Sequence, residues 1–426
     1  MVSNLALSCG VFGPAECEVG PVPWGGYEEM STTGSAQNSV RRWLLEQLTP
    51  ESLAHTAERI TGLSDAYTED RPREALEVLA RSLREEAGLT TSGLLTLRAH
   101  LIGTLMTRMR VQRDLRTLPE ISSAPLPRPV FIVGVLRTGT TLLHHLLAQD
   151  PRARAPALWE LMFPSPPPDP RAHETDTRVR WTDEYLAETF RRMPDLFALH
   201  PMESDAPDEC QWLMRNSFQT GNYAFTYRVP TYGRWIGRAD HDMVPVYRFY
   251  RAQLQLLTWR SRGEWIVLKD PFHLSHLDAL LSVFPNARIL QTHRDPAKVV
   301  PSAVRICAAV RSAYSDAVAL PEIAQLWIEV LPAMLDRAQA TRERAPDRFV
   351  DVYYDALMSD TMREVRRIYE ALEVEWSLET ERRMLRWLEN HPSPKRAPVH
   401  HDLEAFGWTR ERLLERFAAY CKRFAV

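Results

Sequence analysis

A glycine-bearing segment at 134–141 has the residue types and spacing of a phosphate-binding loop. It reads Gly-Val-Leu-Arg-Thr-Gly-Thr-Thr and stands between an apolar run and a helix-forming run. Such a loop directs backbone N–H groups and the positive end of the helix dipole at one point, which favours an anion such as phosphate. The lysine expected after the second glycine is Thr140 here. The cation of the loop is therefore Arg137, whose guanidinium can hold a terminal phosphate.

Arg294 and Ser302 are spaced to bind a second anion. Arg294 ends an apolar run, and Ser302 follows eight residues later, within the first turns of the next predicted helix. A strand-end arginine and a hydroxyl in the first turns of a helix can converge on one phosphate. The alternative is an ion pair of Arg294 with Asp295 or Asp270. Two phosphate sites on one sheet imply a nucleotide with phosphates at both ends of its ribose, which ATP lacks.

The elements that must position these residues alternate between strands and helices. Short apolar runs typical of buried parallel strands lie at 129–135, 264–271, 287–296 and 348–357. Helical periodicity follows the loop and returns at 181–193, 206–217, 243–262, 296–313, 321–345, 361–372, 379–390 and 409–424. This alternation predicts an α/β fold, a P-loop-type central parallel sheet with helices on both faces.

Three regions are expected along the chain. Residues 1–38 lack periodicity and are interpreted as a loose arm, and residues 39–122 show apolar positions every three or four residues, which predicts a helical N-terminal region. The α/β domain is expected at 123–426. Within it, 171–262 is rich in aromatic residues and is interpreted as a helical insertion that covers the acceptor side of the site.

Composition excludes several classes of protein. The 426 residues are 45% hydrophobic and 25% charged, the balance of a globular protein, and the net charge of −3 argues against a general binder of nucleic acid or anionic membrane. Five cysteines are too few and too scattered for a disulfide framework or a zinc cluster, and no metal site is expected. With no apolar run of membrane-spanning length and no basic leader, we expect a cytoplasmic protein.

The motifs together resemble the sulfotransferases that use 3′-phosphoadenosine 5′-phosphosulfate (PAPS). Arg-Thr-Gly-Thr-Thr after a strand resembles their 5′-phosphosulfate loop, and an arginine in place of lysine is similar to the bacterial branch often called sulfotransferase family 3. The spacing of Arg294 and Ser302 resembles the 3′-phosphate site, and 265–296 and 399–420 resemble the family over their whole length. The resemblance covers about 129–426.

This resemblance implies a set of PAPS-binding residues. Arg137 with Thr138 and the backbone of Gly139, Thr140 and Thr141 is expected at the 5′-phosphate, and Arg294 with Ser302 at the 3′-phosphate. Tyr354 and Trp159 are expected at the adenine, each with core packing as its alternative. Lys395 and Arg396 lie where the family brings a C-terminal loop over the 3′-phosphate.

The resemblance also implies catalytic roles. Lys269 resembles the lysine that meets the bridging oxygen of the leaving phosphate, and Arg137 adds positive charge. Cytosolic relatives place a histidine base two residues after that lysine, but position 271 is proline here. His273 is our first candidate for the base and Glu203 the second; Asp205, Asp208 and Glu209 also stay open.

The expected activity is transfer of a sulfuryl group from PAPS to a hydroxyl or amine of a small acceptor. An aromatic or lipid-like acceptor is favoured by the aromatic residues of the insertion at 171–262. The alternatives are a P-loop kinase that uses Mg-ATP and a non-catalytic nucleotide-binding protein. No nucleic-acid partner is expected, and the oligomeric state stays open, with a homodimer among the options.

Overall fold

Five parallel strands form the central sheet of a computed structural model, which describes residues 34–67, 70–194, 196, 200–261, 263–391 and 403–426. In chain order the strands are β1 (Arg128–Gly134), β2 (Ala153–Arg154), β3 (Trp265–Lys269), β4 (Arg288–His293) and β5 (Phe349–Tyr353). Their order in the sheet is β2-β3-β1-β4-β5. The carboxyl ends of the two strands beside β1 therefore flank the loop that follows it.

Most of the other described residues are helical. The helices before β3 are α1 (Gly34–Glu46), α2 (Pro50–Thr61), α3 (Asp70–Glu86), α4 (Thr91–Thr117), α5 (Glu120–Ser123), α6 (Thr140–Leu147), α7 (Leu158–Met162), α8 (Thr177–Arg192), α9 (Gln211–Met214), α10 (Asn222–Thr226), α11 (Pro230–Ile236) and α12 (Val244–Thr258). After β3 come α13 (Leu277–Val283), α14 (Pro296–Ser312), α15 (Leu320–Arg344), α16 (Tyr354–Ser359), α17 (Thr361–Leu372), α18 (Leu378–Asn390), α19 (Arg410–Arg416) and α20 (Ala418–Phe424). Short 3₁₀ turns lie at Pro170–Thr175, Arg215–Ser217, Pro271–His276, Pro346–Arg348 and Glu404–Phe406.

The sheet is buried on both faces because the middle positions of its longer strands are mostly apolar. Successive side chains of a strand point to opposite faces. Phe131 and Val133 of β1 therefore enter one core, with helices α12 to α15, while Val130 and Ile132 enter the other, with α6 and α17. The predicted α/β fold with helices on both faces is confirmed.

A separate core joins the N-terminal helices to the predicted insertion. Leu97, Leu101 and Leu105 repeat every four residues on α4 and are buried together with Tyr223 and Tyr232 of the insertion. Such a spacing places apolar side chains on one face of a helix. The helical N-terminal region therefore packs against the segment that was expected to cover the site.

Boundaries differ from the sequence expectations in a few places. The helix predicted at 206–217 is confined to α9 and a following 3₁₀ turn, because 204–210 is used as an extended connection whose Cys210 N–H donates to the Lys269 carbonyl at 2.9 Å. The two-residue strand β2 was not predicted, whereas α2 lies within the helical region expected at 39–122. Most of the arm expected at 1–38 lies outside the described residues.

Among the described residues, no helix combines the length and the apolar character needed to cross a membrane.

Candidate active site

The loop after β1 is shaped by residues in the left-handed region. Gly139 precedes α6 with a φ of 89°, and Arg137 has a φ of 69°, which is uncommon for a residue other than glycine. A Cβ atom on Gly139 would lie 3.1 Å from Leu357 and 3.3 Å from the ring of Tyr354. The loop therefore needs glycine at 139, and the first N–H groups of α6 are free of intrahelical acceptors, as at every helix start.

Two threonines brace this loop against the neighbouring strand. The hydroxyls of Thr138 and Thr292 share a hydrogen bond of 2.5 Å, and the Thr138 hydroxyl donates to the Val135 carbonyl at 2.7 Å. Thr138 is fully buried. Its hydroxyl is thus committed to the loop, and Thr138 can offer a ligand only its backbone N–H.

Arg294 connects the two predicted anion sites. It follows the last residue of β4, and its Nη1 donates to the Arg137 carbonyl at 2.7 Å. Its guanidinium also lies 3.8 Å from the ring centre of Tyr354, the first residue of α16. Its Nε is buried and has no hydrogen-bond partner among the residues that the structure describes. An unpartnered guanidinium donor beside the loop is suited to an anion.

Ser302 lies on the second turn of α14 and is half-buried. The helix starts directly after Asp295, whose carboxylate accepts the Ala297 N–H at 2.8 Å and pairs with Arg410 at 2.8 Å. Asp295 therefore pairs with Arg410 and not with Arg294, so the first alternative is not seen. Asp270 does not pair with Arg294 either, since its carboxylate caps the 3₁₀ turn through Phe272 N–H at 2.8 Å.

Lys269 and Glu209 form a buried ion pair at the end of β3. The Lys269 Nζ lies 2.7 Å from the Glu209 Oε1, and the two side chains are 2% and 13% exposed. Burial by itself disfavours both charges, but each charge offsets this for its partner: Glu209 raises the pKa of Lys269, and Lys269 lowers the pKa of Glu209. A cation and a deprotonated carboxylate are thus held together beside the loop.

The carboxylates of the acidic segment before α9 have different surroundings. Glu203 is exposed, Asp205 is exposed and contacts His173 at 2.9 Å, and Asp208 accepts hydrogen bonds from Glu209 N–H at 2.5 Å and Trp212 Nε1 at 3.2 Å. Glu209 is the member of this group that reaches Lys269. Glu203, the second candidate for the base, has no described contact with the lysine.

His273, the first candidate for the base, lies in the aromatic core rather than at the open edge of the sheet. It is 2% exposed, and its Nδ1 shares a hydrogen bond of 2.8 Å with the Tyr247 hydroxyl. The rings of Phe131 and Tyr250 pack around it at 5.4 and 5.9 Å. Burial lowers its pKa to about 3, so the imidazole is neutral. This environment favours a packing role, because aromatic rings surround the imidazole.

His200 is a residue that the sequence reasoning did not single out. Burial lowers its pKa, and it interacts electrostatically with Glu209, Lys269 and Arg137. It therefore lies close to the ion pair and the loop. The one signal in the sequence was its position at the head of the acidic segment.

The residues expected at the adenine have different surroundings. Trp159 is 3% exposed, and the Arg178 guanidinium covers its ring at 4.8 Å. Packing, the alternative reading of Trp159, is the one this arrangement favours. Tyr354 is half-buried between Gly139 and Arg294. Lys395 and Arg396 lie outside the described residues.

One edge of the sheet therefore carries the candidate site. The loop follows β1, Lys269 ends β3, Arg294 follows β4 and Tyr354 follows β5. Parallel strands place their carboxyl ends at one edge, which is where α/β folds bind ligands. The described residues hold no group of three or more His, Cys, Asp or Glu side chains placed to bind a metal.

Curated relatives and a family model share this sequence pattern. The model of a sulfotransferase family matches residues 129–377. The omega-hydroxy-beta-dihydromenaquinone-9 sulfotransferase Stf3 of Mycobacterium bovis, and its counterpart in Mycobacterium tuberculosis, are 31% identical over 259 residues. That alignment spans 57% of this chain and 62% of the relatives, so the match covers less than two thirds of their length.

Solved structures of mycobacterial sulfotransferases share the fold. STF1 of Mycobacterium tuberculosis H37Rv superposes with a TM-score of 0.78 at 31% identity, over 87% of this chain and 98% of that one. STF9 of Mycobacterium avium gives a TM-score of 0.80 at 30% identity, over 89% and 97% of the two chains. On the match of the family model, the fold and the loop after β1, this chain belongs to the sulfotransferase family.

Proposed function

We propose that this protein transfers a sulfuryl group from PAPS to a hydroxyl of a lipid-like or aromatic acceptor. The observation that carries the proposal is the direct bond from Arg294 to the loop carbonyl of Arg137. This bond links two proposed anion sites, each with an arginine, at the ends of adjacent strands. A nucleotide with phosphates at both ends of its ribose needs two such sites close together. Membership of the sulfotransferase family supports the same reaction class.

Each end of the nucleotide has its own set of donors in this proposal. Arg137, with the backbone N–H groups of Thr138, Gly139, Thr140 and Thr141, binds the 5′-phosphate. Arg294 and Ser302 bind the 3′-phosphate, and the unpartnered Nε of Arg294 supplies a donor for it. Tyr354 packs against both the loop and Arg294 and so lies between the two sites in this proposal.

The transfer itself is a displacement at sulfur. A bond forms between the acceptor oxygen and sulfur, the bond from sulfur to the 5′-phosphate oxygen breaks, and the hydroxyl proton passes to a base. Lys269 and Arg137 stabilise the negative charge that builds on the leaving oxygen. Glu209 takes the proton in our proposal, because it is deprotonated and touches Lys269.

The acceptor class rests on two kinds of support. The relatives matched by sequence are sulfotransferases of a hydroxylated dihydromenaquinone, a lipid. In this chain, the insertion that follows α7 is rich in buried aromatic side chains, among them Tyr223, Tyr227 and Tyr232. The cytoplasmic location expected from the sequence stays a prediction.

Calorimetric binding of adenosine 3′,5′-bisphosphate, with 5′-ADP and Mg-ATP as competitors, tests the donor. We expect metal-free binding of the bisphosphate that is at least about tenfold tighter than binding of 5′-ADP, because the second phosphate adds charge-assisted hydrogen bonds. Tighter binding of Mg-ATP would favour the kinase alternative. Binding of the nucleotide without sulfuryl transfer to any of a panel of phenols and long-chain alcohols would favour the non-catalytic one.

A further inference from the structure

The C-terminal helices meet the end of β4 at the two residues that flank Arg294. On one side, the His293 Nδ1 lies 3.2 Å from the Tyr420 hydroxyl of α20. On the other side, the Asp295 carboxylate pairs with Arg410 of α19 at 2.8 Å. The His293 side chain is fully buried, whereas the Arg410 side chain is exposed, and an exposed ion pair contributes little. The contact between Tyr420 and His293 is therefore the stronger attachment of the two.

Aromatic rings enclose the His293 imidazole. The Phe424 ring stacks on it with ring centres 3.9 Å apart and planes inclined by 20°. The Tyr353 ring centre lies 5.4 Å from the imidazole and the Tyr420 ring centre 5.8 Å from it. Phe424 and Tyr420 are buried, and Tyr353 is exposed. A hydrogen bond in such an environment is stronger than one in water, so the polar contacts of His293 fix its position.

The hydrogen bonds of His293 have a defined direction. The Asp351 carboxylate lies 2.8 Å from the His293 Nε2. Burial raises the pKa of Asp351, but hydrogen bonds from His293 and Arg342 outweigh it and lower the pKa to about 2, so the carboxylate is ionised and only accepts. Nε2 therefore carries the proton. Because burial lowers the pKa of His293, the ring is neutral and its Nδ1 accepts the proton of the Tyr420 hydroxyl.

The oxygen of the same hydroxyl contacts the main chain of Arg294. Burial raises the pKa of Tyr420, and a hydrogen bond with the Arg294 backbone opposes that rise. A bond that lowers the pKa of a phenol is donated to its oxygen, so the donor is the Arg294 N–H. Tyr420 thus connects the imidazole of His293 to the backbone of Arg294, the residue whose guanidinium bonds to the loop after β1.

We propose that Tyr420 is a positioning residue for the donor site: its hydroxyl fixes the end of β4 so that the Arg294 guanidinium faces the 3′-phosphate of the nucleotide. The inference rests on the proposed function, which places Arg294 at that phosphate. An arginine binds an anion through a planar fork, so its contacts depend on where the main chain holds it. The family model matches residues 129–377, and Tyr420 lies beyond that segment. The C-terminal helices thereby acquire a role in donor binding.

Two nucleotides that differ only in the 3′-phosphate test this proposal. Calorimetry measures the Kd of adenosine 3′,5′-bisphosphate and of adenosine 5′-phosphate in the parent protein and in Tyr420→Phe, which removes the hydroxyl and keeps the ring. We expect the Kd of the bisphosphate to rise about three- to tenfold, the effect of one lost hydrogen bond, and that of the monophosphate to stay within about twofold. Equal changes for the two nucleotides, or no change for either, would overturn the proposal.

Two control variants separate positioning from packing. Tyr353→Phe removes a hydroxyl from another ring beside His293, and we expect it to bind both nucleotides as the parent protein does. Phe424→Leu removes the stacked ring and leaves the Tyr420 hydroxyl in place. We expect it to lower the temperature of thermal unfolding and to keep the preference for the bisphosphate. If Phe424→Leu loses this preference as fully as Tyr420→Phe, packing of α20 explains both results and the proposal is overturned.

Hydrogen exchange of the full chain without nucleotide separates this inference from the proposed function. In peptides that span 288–296, we expect faster amide exchange in Tyr420→Phe than in the parent protein or in Tyr353→Phe. Unchanged exchange there, in a parent protein that prefers the bisphosphate, overturns the inference alone. A parent protein that binds the two nucleotides equally overturns the proposed function, and faster exchange in Tyr420→Phe then still supports Tyr420 as the residue that fixes the end of β4.

Discussion

The guanidinium of Arg294 donates a hydrogen bond of 2.7 Å to the carbonyl oxygen of Arg137, a residue of the loop after β1. The bond crosses between adjacent strands, because Arg294 follows β4 and the loop follows β1. Tyr354 lies against the same guanidinium at 3.8 Å. The two residues at the centre of the two predicted anion sites are thereby bonded to each other.

Replacing Arg294 by lysine is expected to weaken binding of adenosine 3′,5′-bisphosphate by about 10- to 100-fold. A lysine keeps the charge but loses the planar fork that reaches a carbonyl and an anion at once. Calorimetry at constant ionic strength measures the change. Arg363→Ala, at an exposed position on α17, is the matched control. If Arg294→Lys binds as tightly as the parent protein, Arg294 does not contact the nucleotide.

Replacing Glu209 by glutamine is expected to lower kcat by about 10²- to 10⁴-fold, the range for removal of a general base. The substitution keeps the shape of the side chain and removes its charge. The dissociation constant for adenosine 3′,5′-bisphosphate is expected to differ from that of the parent protein by no more than a few-fold. Since Lys269 lowers the pKa of Glu209, activity in the parent protein should also persist down to a pH below the usual glutamate range of about 4.3.

The variant His273→Phe serves as the contrast to Glu209→Gln. It removes the imidazole and its bond to Tyr247 but keeps a buried ring, so we expect a loss of about 1 kcal/mol in the free energy of unfolding and a nearly unchanged kcat. A large loss of kcat in His273→Phe, together with an acidic limb of the pH–rate profile near 6 to 7, would return the role of base to a histidine.

Replacing Gly134 by alanine is expected to destabilise the fold by about 1–3 kcal/mol, the usual cost of overpacking. A Cβ atom at this position would lie 1.9 Å from the Thr292 hydroxyl. Chemical denaturation measures the loss. The double variant with Thr292→Ala should recover part of it, because the clash disappears although the bond to Thr138 is lost. If the loss of stability in the double variant equals the sum of the losses in the two single variants, this packing is contradicted.

Asp351 on β5 is expected to contribute to stability in a defined pH range. Burial raises the pKa of its carboxyl, but hydrogen bonds from His293 and Arg342 outweigh that effect and lower the pKa to about 2. A carboxyl with a depressed pKa stabilises the folded state above its unfolded pKa of about 3.9, and this contribution is lost as the pH falls towards 2.

The variant Asp351→Asn tests that contribution. Because the side chain is 29% exposed and therefore partly screened, we expect a loss of roughly 1–2 kcal/mol at pH 7 and a smaller difference from the parent protein near pH 2. Thermal unfolding across this pH range measures both values. A difference that does not shrink in acid would mean that the charge of Asp351 is not what stabilises β5.

Local sequence determined the strands, the phosphate-type loop and the chemistry expected of it. Arg137 and Gly139 lie in the loop after β1, Lys269 ends β3 and Arg294 follows β4. Their placement at one edge of a parallel sheet therefore follows from the connectivity alone. Fold class and family were accessible in this way, because apolar runs and glycine spacing act over short distances along the chain.

Tertiary structure decided which side chains meet. Glu209 lies 60 residues before Lys269 and pairs with it only because the extended connection before α9 runs along the end of β3. His273, four residues from the same lysine, turns into the aromatic core instead. The core that the N-terminal helices share with the insertion likewise depends on contacts between distant segments of the chain. Such long-range packing leaves no periodic signal in the sequence, because it depends on the shapes of surfaces that form only after folding.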